Sequence, residues 1–144
     1  MNRKTGRIKT IRKDDFFNMI TVSINEGTID IVDVKTPFFI EEGDEVAVKF
    51  NEIVVSLSKC DKIGKVISVE NTIPSRITTY RKGEIFSEVR LETPCGEIVS
   101  LISTPVLEAM GLSEGDDVTA LLKGSDIKLE PILESPLDAL IRTR

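Results

Sequence analysis

Glu42-Gly43-Asp44-Glu45-Val46 and Glu114-Gly115-Asp116-Asp117-Val118 are nearly the same five residues, set 72 positions apart. The pairs Thr36-Pro37 and Thr104-Pro105 precede them, 68 positions apart. Ordered matches at a nearly constant shift indicate an internal duplication. The chain is therefore predicted to hold two similar modules, with the difference of four residues absorbed by a helix that is truncated in the first half.

Short segments of alternating apolar and polar residues dominate both modules. Thr28–Val34 reads Thr-Ile-Asp-Ile-Val-Asp-Val, which is typical of a half-buried strand. Asn25-Glu26-Gly27 and Thr93-Pro94-Cys95-Gly96 are predicted hairpin turns. The predicted strands are Arg7–Ile11, Phe17–Ile24, Thr28–Val34, Glu45–Phe50 and Ile53–Leu57, then Arg76–Tyr80, Glu84–Glu92, Glu97–Ser103, Val118–Lys123 and Ile127–Glu130. The fold class is therefore all-β.

Two segments differ from this pattern. Residues 104–112 predict a short helix, with Thr104 as N-cap, Pro105 at the first helical position and Gly111 at the end. Residues 131–144 form a tail whose apolar positions fall on one helical face, so it is either an amphipathic clip or a frayed terminus. The predicted domains are 1–62, 63–130 and this tail. Modules this small bury little core alone, so they are expected to pack together.

Composition excludes several classes of function. The chain has no His and only two Cys, which excludes His-based catalytic groups and the usual zinc sites. Its unbroken apolar runs are far shorter than the roughly 20 residues that cross a bilayer, and no signal-peptide pattern opens it. A cytoplasmic protein without enzymatic activity, cofactor or membrane contact is predicted.

The net charge of −5 hides a one-sided N-terminus. The segment from Met1 to Lys13 contains no acidic residue, and its cations are Arg3, Lys4, Arg7, Lys9, Arg12 and Lys13. One interpretation is a nucleic-acid-binding arm. The favoured interpretation is a solvated edge strand, because Lys commonly protects strand edges and the rest of the chain is acidic.

Lys123-Gly124-Ser125-Asp126 joins the last two predicted strands of the second module. A Lys, an unhindered backbone N–H and a hydroxyl are the donor types that a small oxyanion needs. The same residues also make an ordinary hairpin connection, so composition alone leaves both interpretations open.

A wider pattern runs through residues 67–130. Its parts are Ile67-Ser68-Val69-Glu70-Asn71, Arg81-Lys82-Gly83-Glu84-Ile85-Phe86-Ser87-Glu88-Val89, Ile98-Val99-Ser100-Leu101-Ile102-Ser103, Leu107-Glu108-Ala109-Met110-Gly111-Leu112-Ser113-Glu114-Gly115-Asp116 and Lys123-Gly124-Ser125-Asp126-Ile127. In this order they resemble a Mop-type TOBE domain, the oxyanion-binding module of molbindins. The first module resembles it more weakly. The resemblance implies two tandem five-stranded OB-like barrels.

The resemblance also implies a site for molybdate or tungstate. Family members hold the anion with a Ser-Ala-Arg-Asn segment, a Ser or Thr after the third strand and a late Lys-Ser/Ala-Thr/Pro segment, at module or subunit interfaces. Carried onto this sequence, the site residues are Ser68, Asn71, Ser103, Lys123, Gly124 and Ser125. Lys123 would supply charge and the others hydrogen bonds, although Asn71 has a second interpretation, as a residue that fixes the loop.

Two departures from the family pattern bear on this site. Glu70 stands where the family has Arg, and a carboxylate repels a dianion, so Glu70 either turns away or Arg76 substitutes for the missing Arg. The first module has Asn51-Glu52 in place of Lys123-Gly124, aligns Lys35 with Ser103, and leaves no room for the Ser-Ala-Arg-Asn segment. It is therefore predicted to be a structural partner without a full site.

These observations predict oxyanion binding for storage, homeostasis or sensing, in a homo-oligomer such as a dimer or trimer. The main alternative is a TOBE-type interaction or regulatory module that has lost its ligand. Nucleic-acid binding by an OB surface is the third and least supported hypothesis.

Overall fold

The computed structural model describes residues 1–34 and 40–132. The truncated helix predicted near Thr36-Pro37 and most of the predicted C-terminal tail lie outside these residues. Within them the chain forms mainly strands. The elements are β1 (Asn2–Lys13), β2 (Asn18–Ile24), β3 (Gly27–Asp33), β4 (Glu45–Phe50), β5 (Ser56–Ser58), β6 (Asn71–Arg81), β7 (Phe86–Thr93), β8 (Gly96–Ser103), α1 (Thr104–Met110), β9 (Asp117–Leu122) and β10 (Lys128–Pro131).

The strands form two curled five-stranded sheets that resemble OB-like barrels, which confirms the predicted fold class. The first sheet, called barrel A, has the order β10-β4-β1-β2-β3, and the second, barrel B, has the order β5-β9-β6-β7-β8. Every pairing is antiparallel. Each barrel therefore receives one strand from the other half of the sequence.

This exchange corrects the expectation that each module supplies its own five strands. β5 pairs with β9 through Ser56 opposite Leu121, and β10 pairs with β4 through Lys128 opposite Lys49. Two crossing strands tie the barrels together through backbone hydrogen bonds. The domain limits at residues 62 and 130 stay a prediction, because neither segment contains a whole sheet.

The duplication is visible in the hydrogen bonds of both barrels. Gly43 N donates to Ile8 O at 2.7 Å, and Gly115 N donates to Ile77 O at 2.7 Å. The first strand of each repeat also carries a register shift, at Ile8 and at Ile77. Both modules therefore fold by the same plan, in which Ile8 is equivalent to Ile77 and Gly43 to Gly115.

The equivalence of Ile8 with Ile77 corrects one detail of the sequence alignment. Asn18 lies opposite Asp33 in barrel A, and Ser87 lies opposite Ile102 in barrel B. Continuing this register places Val34, and not Lys35, at the position of Ser103. The sequence match at Thr-Pro has a shift of 68, whereas the strands that precede it follow a shift of 69.

Alternation explains why these segments form barrels. Ile29 and Ile31 of β3 are fully buried, while Thr28 between the turn and these residues is exposed. Burying each such side chain contributes roughly 1.5–3 kcal/mol. The predicted hairpins are confirmed, with Asn25-Glu26 and Pro94-Cys95 as the loop residues. The two turns also meet, since Glu26 N donates to Pro94 O at 3.1 Å.

The basic N-terminal segment is not the edge strand that the sequence predicted. β1 lies at the centre of barrel A, paired with β4 on one side and β2 on the other. All of its cations except Lys4 are exposed, and Arg7 Nη1 donates to Gly43 O at 3.1 Å. The alternating pattern predicted that this segment is a strand, but it did not show whether one strand or two would pair with it.

Two local predictions also change. Residues 52–54 form a short 3₁₀ turn and not the start of a strand, because the Asn51 side chain accepts a hydrogen bond from Ile53 N at 3.0 Å and caps that turn. The N-cap of α1 is Ser103, one residue before the predicted Thr104. Thr104 is buried, and its hydroxyl donates to Gly83 O at 2.7 Å. Gly111 ends the helix as predicted, with φ at 64°.

Candidate functional site

The segment Lys123-Gly124-Ser125-Asp126 crosses between the two barrels and does not close a hairpin. It leaves β9 of barrel B, makes a 3₁₀ turn over Gly124–Asp126, and enters β10 of barrel A. A Cβ atom on Gly124 would lie 2.9 Å from Asp30 O and 2.9 Å from Val32 Cγ2, both on β3. Only glycine therefore lets this turn approach β3 so closely.

Asn71 fixes the same junction from the start of β6. Its side chain is buried, accepts from Asp30 N at 2.7 Å, and donates to Asp30 O at 2.9 Å and to Leu122 O at 3.1 Å. Both amide hydrogens are thus engaged by backbone carbonyls. Asn71 therefore fixes the loop, which was its second interpretation, and has no free donor for an anion.

Glu70 points toward the junction and does not turn away. Its Oε1 atom accepts a hydrogen bond from Gly124 N at 2.7 Å. This is a charge-assisted bond between a carboxylate and a backbone amide. A negatively charged oxygen thus already occupies the one backbone donor that the sequence proposed for an oxyanion.

The remaining polar groups of the junction are open to solvent. Lys123, Ser125 and Ser68 are exposed, and Lys123 forms no ion pair with any of the residues that the structure describes. Ser125 lines an open cavity of about 480 Å³ together with Lys49 and Lys128. Lys123 is therefore an exposed cation directly beside the Gly124 amide.

Arg76 lies away from the junction within one chain. Its Nε atom lies 3.3 Å from Asp117 Oδ1, in an exposed ion pair between β6 and β9. Arg76 follows Asn71 by five residues along β6, or about 16 Å at the usual rise per residue. Its substitution for the missing family Arg therefore stays a prediction, which within one chain this separation does not support.

Ser103 lies apart from the junction within one chain. It sits opposite Phe86 at the end of β8 and begins α1, whereas Asn71 begins β6 at the other end of the same sheet. The eleven residues of β6 alone span roughly 30 Å or more in an extended strand. The structure therefore brings together Glu70, Asn71, Lys123, Gly124 and Ser125, with Ser68 two residues before Glu70, but not Ser103 or Arg76.

The first module has an equivalent junction with different chemistry. Asn2 Nδ2 donates to Val99 O at 2.8 Å, and Asn2 Oδ1 accepts from Val99 N at 2.8 Å, as Asn71 does with Asp30. Asn2 thus has the role at this junction that Asn71 has at the other. At this junction the amino group of Met1 contacts Glu52, which stands where the second module has Gly124. A backbone donor beside a Lys is therefore a feature of the second junction.

Sequence reasoning missed Asp30 and Val32, which build the floor of the junction from the other module. No signal in a single sequence marks them, because Asp30 contributes a backbone oxygen and Val32 an ordinary strand side chain, and the exchanged topology brings both to Gly124. Among residues 1–34 and 40–132, no three His, Cys, Asp or Glu side chains are grouped to hold a metal ion. No helix in this described part is long and apolar enough to span a membrane.

The second module is similar to domains of known proteins. Residues 67–129 match the model of the TOBE domain. Three molybdenum-pterin-binding proteins of Clostridium pasteurianum, numbered 3, 1 and 2, are 33%, 36% and 34% identical over 64 residues. Each match covers 44% of this chain and 94% of the relative. These relatives are thus about one module long.

A solved structure extends the likeness to both modules. The cytoplasmic molybdate-binding protein ModG, with molybdate bound, superposes with a TM-score of 0.82 and 21% identity, covering 91% of this chain and 96% of that one. At this identity the match establishes the tandem fold. Since the chain covers nearly the whole length of the Clostridium relatives at about one identical residue in three, it belongs to the TOBE-domain family that includes the molybdenum-pterin-binding proteins.

Proposed function

We propose that this protein binds molybdate or tungstate in the cytoplasm, for storage, homeostasis or sensing, and catalyses no reaction. The observation that carries the proposal is the Gly124 N–H, which holds a carboxylate oxygen at 2.7 Å beside the exposed Lys123. A donor that accommodates one anionic oxygen is suited to another, and Lys123 adds the charge that a dianion needs. The relatives named for binding molybdate or molybdenum-pterin support the choice of ligand.

The binding groups that we propose are the Gly124 amide, the Lys123 ammonium and the hydroxyls of Ser125 and Ser68. All three side chains are exposed, so they can turn toward an anion without breaking a core contact. The ligand would be held by hydrogen-bond donors alone, which suits a fully deprotonated tetrahedral dianion. The packing of Gly124 against β3 and the hydrogen bonds of Asn71 hold the turn in place, and these side chains would close over it.

Ser103 joins this site only if a second copy of the chain supplies it. Exposed apolar side chains recur at equivalent positions of the two modules, at Phe16 (77% exposed) and Phe17 (52%) and at Ile85 (70%) and Phe86 (45%). Ser103 pairs directly with Phe86 in the sheet. We call the exposed apolar area around Ile85 and Phe86 the Phe86 surface. Association through it would carry Ser103 to a neighbouring subunit. On this basis we propose a homo-oligomer, a dimer or trimer.

Isothermal titration calorimetry with molybdate, tungstate, phosphate and sulfate tests the proposal. We expect molybdate and tungstate to bind more tightly than phosphate, because phosphate is smaller and partly protonated at neutral pH. Equal binding of phosphate, or no heat with any of the four anions, would contradict the assignment.

The alternative function is an interaction or regulatory module without ligand. The occupancy of the Gly124 amide by Glu70 is the observation that favours it. Failure of all four anions to bind, together with a defined oligomer, would support this alternative. The nucleic-acid hypothesis is weakened, because β1 is held in the centre of barrel A and is not a free arm.

A further inference from the structure

We propose that the Glu70 carboxylate is an internal competitor of the ligand, which occupies the Gly124 amide and sets how tightly an oxyanion binds. The inference rests on the proposed function and adds to it a residue that determines affinity. It depends on one contact and on the room around that contact.

The contact leaves no second place on the donor. The Gly124 N–H is a single hydrogen, and Glu70 Oε1 accepts it at 2.7 Å. Gly124 itself is buried against β3, and a Cβ atom there would lie 3.1 Å from Glu70 Oε1. An oxyanion that uses this amide must therefore displace the carboxylate.

Displacement is feasible because the Glu70 side chain is held only through its carboxylate group. Among the described residues, the Gly124 amide is the one group that forms a hydrogen bond or ion pair with the Glu70 side chain, which is otherwise exposed. The carboxylate can swing into solvent when a stronger anion arrives. Glu70 would then lower the affinity without abolishing binding.

Charge adds to this competition. Glu70 and a bound dianion would both lie next to Gly124, and like charges at this range repel. Lys123 is the cation adjacent to them in sequence, and Arg76 is already paired with Asp117. The net positive charge at the site is therefore lower than the Lys123 ammonium and the neutral hydrogen-bond donors alone would indicate.

The test compares Glu70→Ala and Glu70→Gln with the wild-type protein by calorimetry with molybdate. Both variants should bind about tenfold more tightly, because a charged hydrogen-bond competitor is removed or made neutral. Glu84→Gln is the matched control, since it removes one exposed carboxylate of the same module, and it should leave the affinity unchanged. Glu70→Gln keeps the shape of the side chain and guards against a variant that fails to fold.

Nuclear magnetic resonance of the Gly124 amide gives a second readout, first in the free protein and then with ligand added. In the free protein its proton signal should shift upfield in Glu70→Ala, since the carboxylate acceptor is lost. In the wild-type protein the signal should move on addition of molybdate. An amide unaffected by both changes would overturn the proposal.

Different results would contradict the competitor role of Glu70 and the proposed binding of an oxyanion. If the wild-type protein binds molybdate and Glu70→Ala and Glu70→Gln bind equally or more weakly, the competitor role is wrong and Glu70 organises the turn. If none of the three proteins binds any oxyanion, the proposed function itself is wrong.

Discussion

The Asn71 side chain holds both backbone polar groups of Asp30, accepting from its N–H at 2.7 Å and donating to its carbonyl at 2.9 Å. Asn71 belongs to the second half of the sequence and Asp30 to the first. The Asn71 amide makes the two hydrogen bonds that a further pair of strand residues would make, and it joins barrel B to barrel A. The equivalent bonds between Asn2 and Val99 do the same at the other junction.

Asn71→Ala should lower the free energy of unfolding by about 2–4 kcal/mol, because it leaves the part-buried backbone groups of Asp30 and the buried Leu122 carbonyl without their Asn71 partner. Urea denaturation followed by circular dichroism measures this change. Asn18→Ala is the control, since Asn18 lies at the start of β2 and should change stability by less than about 0.5 kcal/mol. Equal effects of the two substitutions would contradict the role assigned to Asn71.

Lys123→Ala should weaken molybdate binding by about tenfold or more, as expected when a charged donor is lost from an anion site. Lys9→Ala removes another exposed Lys, from β1, remote in sequence from the junction, and should leave binding within about twofold. Calorimetry at one salt concentration compares the two variants. The same loss in both would mean that the site lies elsewhere or that the effect is one of net charge.

The Phe86 surface should support self-association. Light scattering at micromolar concentration is expected to give a mass above the 16.0 kDa of one chain. Phe86→Glu should reduce that mass, because it places a charge in an apolar contact. Val66→Glu, at a side chain that is 78% exposed on another part of the second module, should not. A wild-type protein with the mass of a single chain would remove the proposed route by which Ser103 reaches the site.

The two thiols should differ in reactivity. Burial raises the pKa of the Cys95 thiol, an effect that the nearby Lys4 ammonium opposes only in part, whereas Cys60 is exposed. A thiol reagent at pH 8 should therefore modify one Cys per folded chain rapidly and both in denaturant. Cys60→Ser should abolish the rapid phase. Two fast thiols in the folded wild-type protein would show that the contact between the hairpin turns opens readily.

The raised pKa of Cys95 also fixes the sign of a pH effect on stability. A thiol that keeps its proton in the folded state contributes stability below the ordinary thiol pKa, and this contribution is lost as pH rises above it. The melting temperature should thus fall more steeply from pH 8 to pH 10 in the wild-type protein than in Cys95→Ala. Parallel curves for the two proteins would contradict this linkage.

The sequence by itself determined the all-β class, the duplication, both hairpin turns and the glycine that ends α1. These features depend on local pattern, since alternation sets which face of a strand is buried, and a left-handed φ such as that of Gly111 favours glycine. Lys123 and Gly124 of the late segment were also proposed from the sequence, through residue type and family resemblance, and their role in binding stays a prediction. None of these inferences needed to know which strands pair across the two modules.

The tertiary structure alone decided that β5 and β10 exchange barrels. Strands pair through backbone groups that are identical in both modules, so a four-residue strand such as β10 carries no pattern that selects its own barrel over the other. The crossing into β10 brings Gly124 close to Asp30, a contact between residues of different modules that lie far apart along the chain. The bond from Gly124 to Glu70 joins residues 54 positions apart, so the sequence revealed the charge of Glu70 but not the amide that it engages.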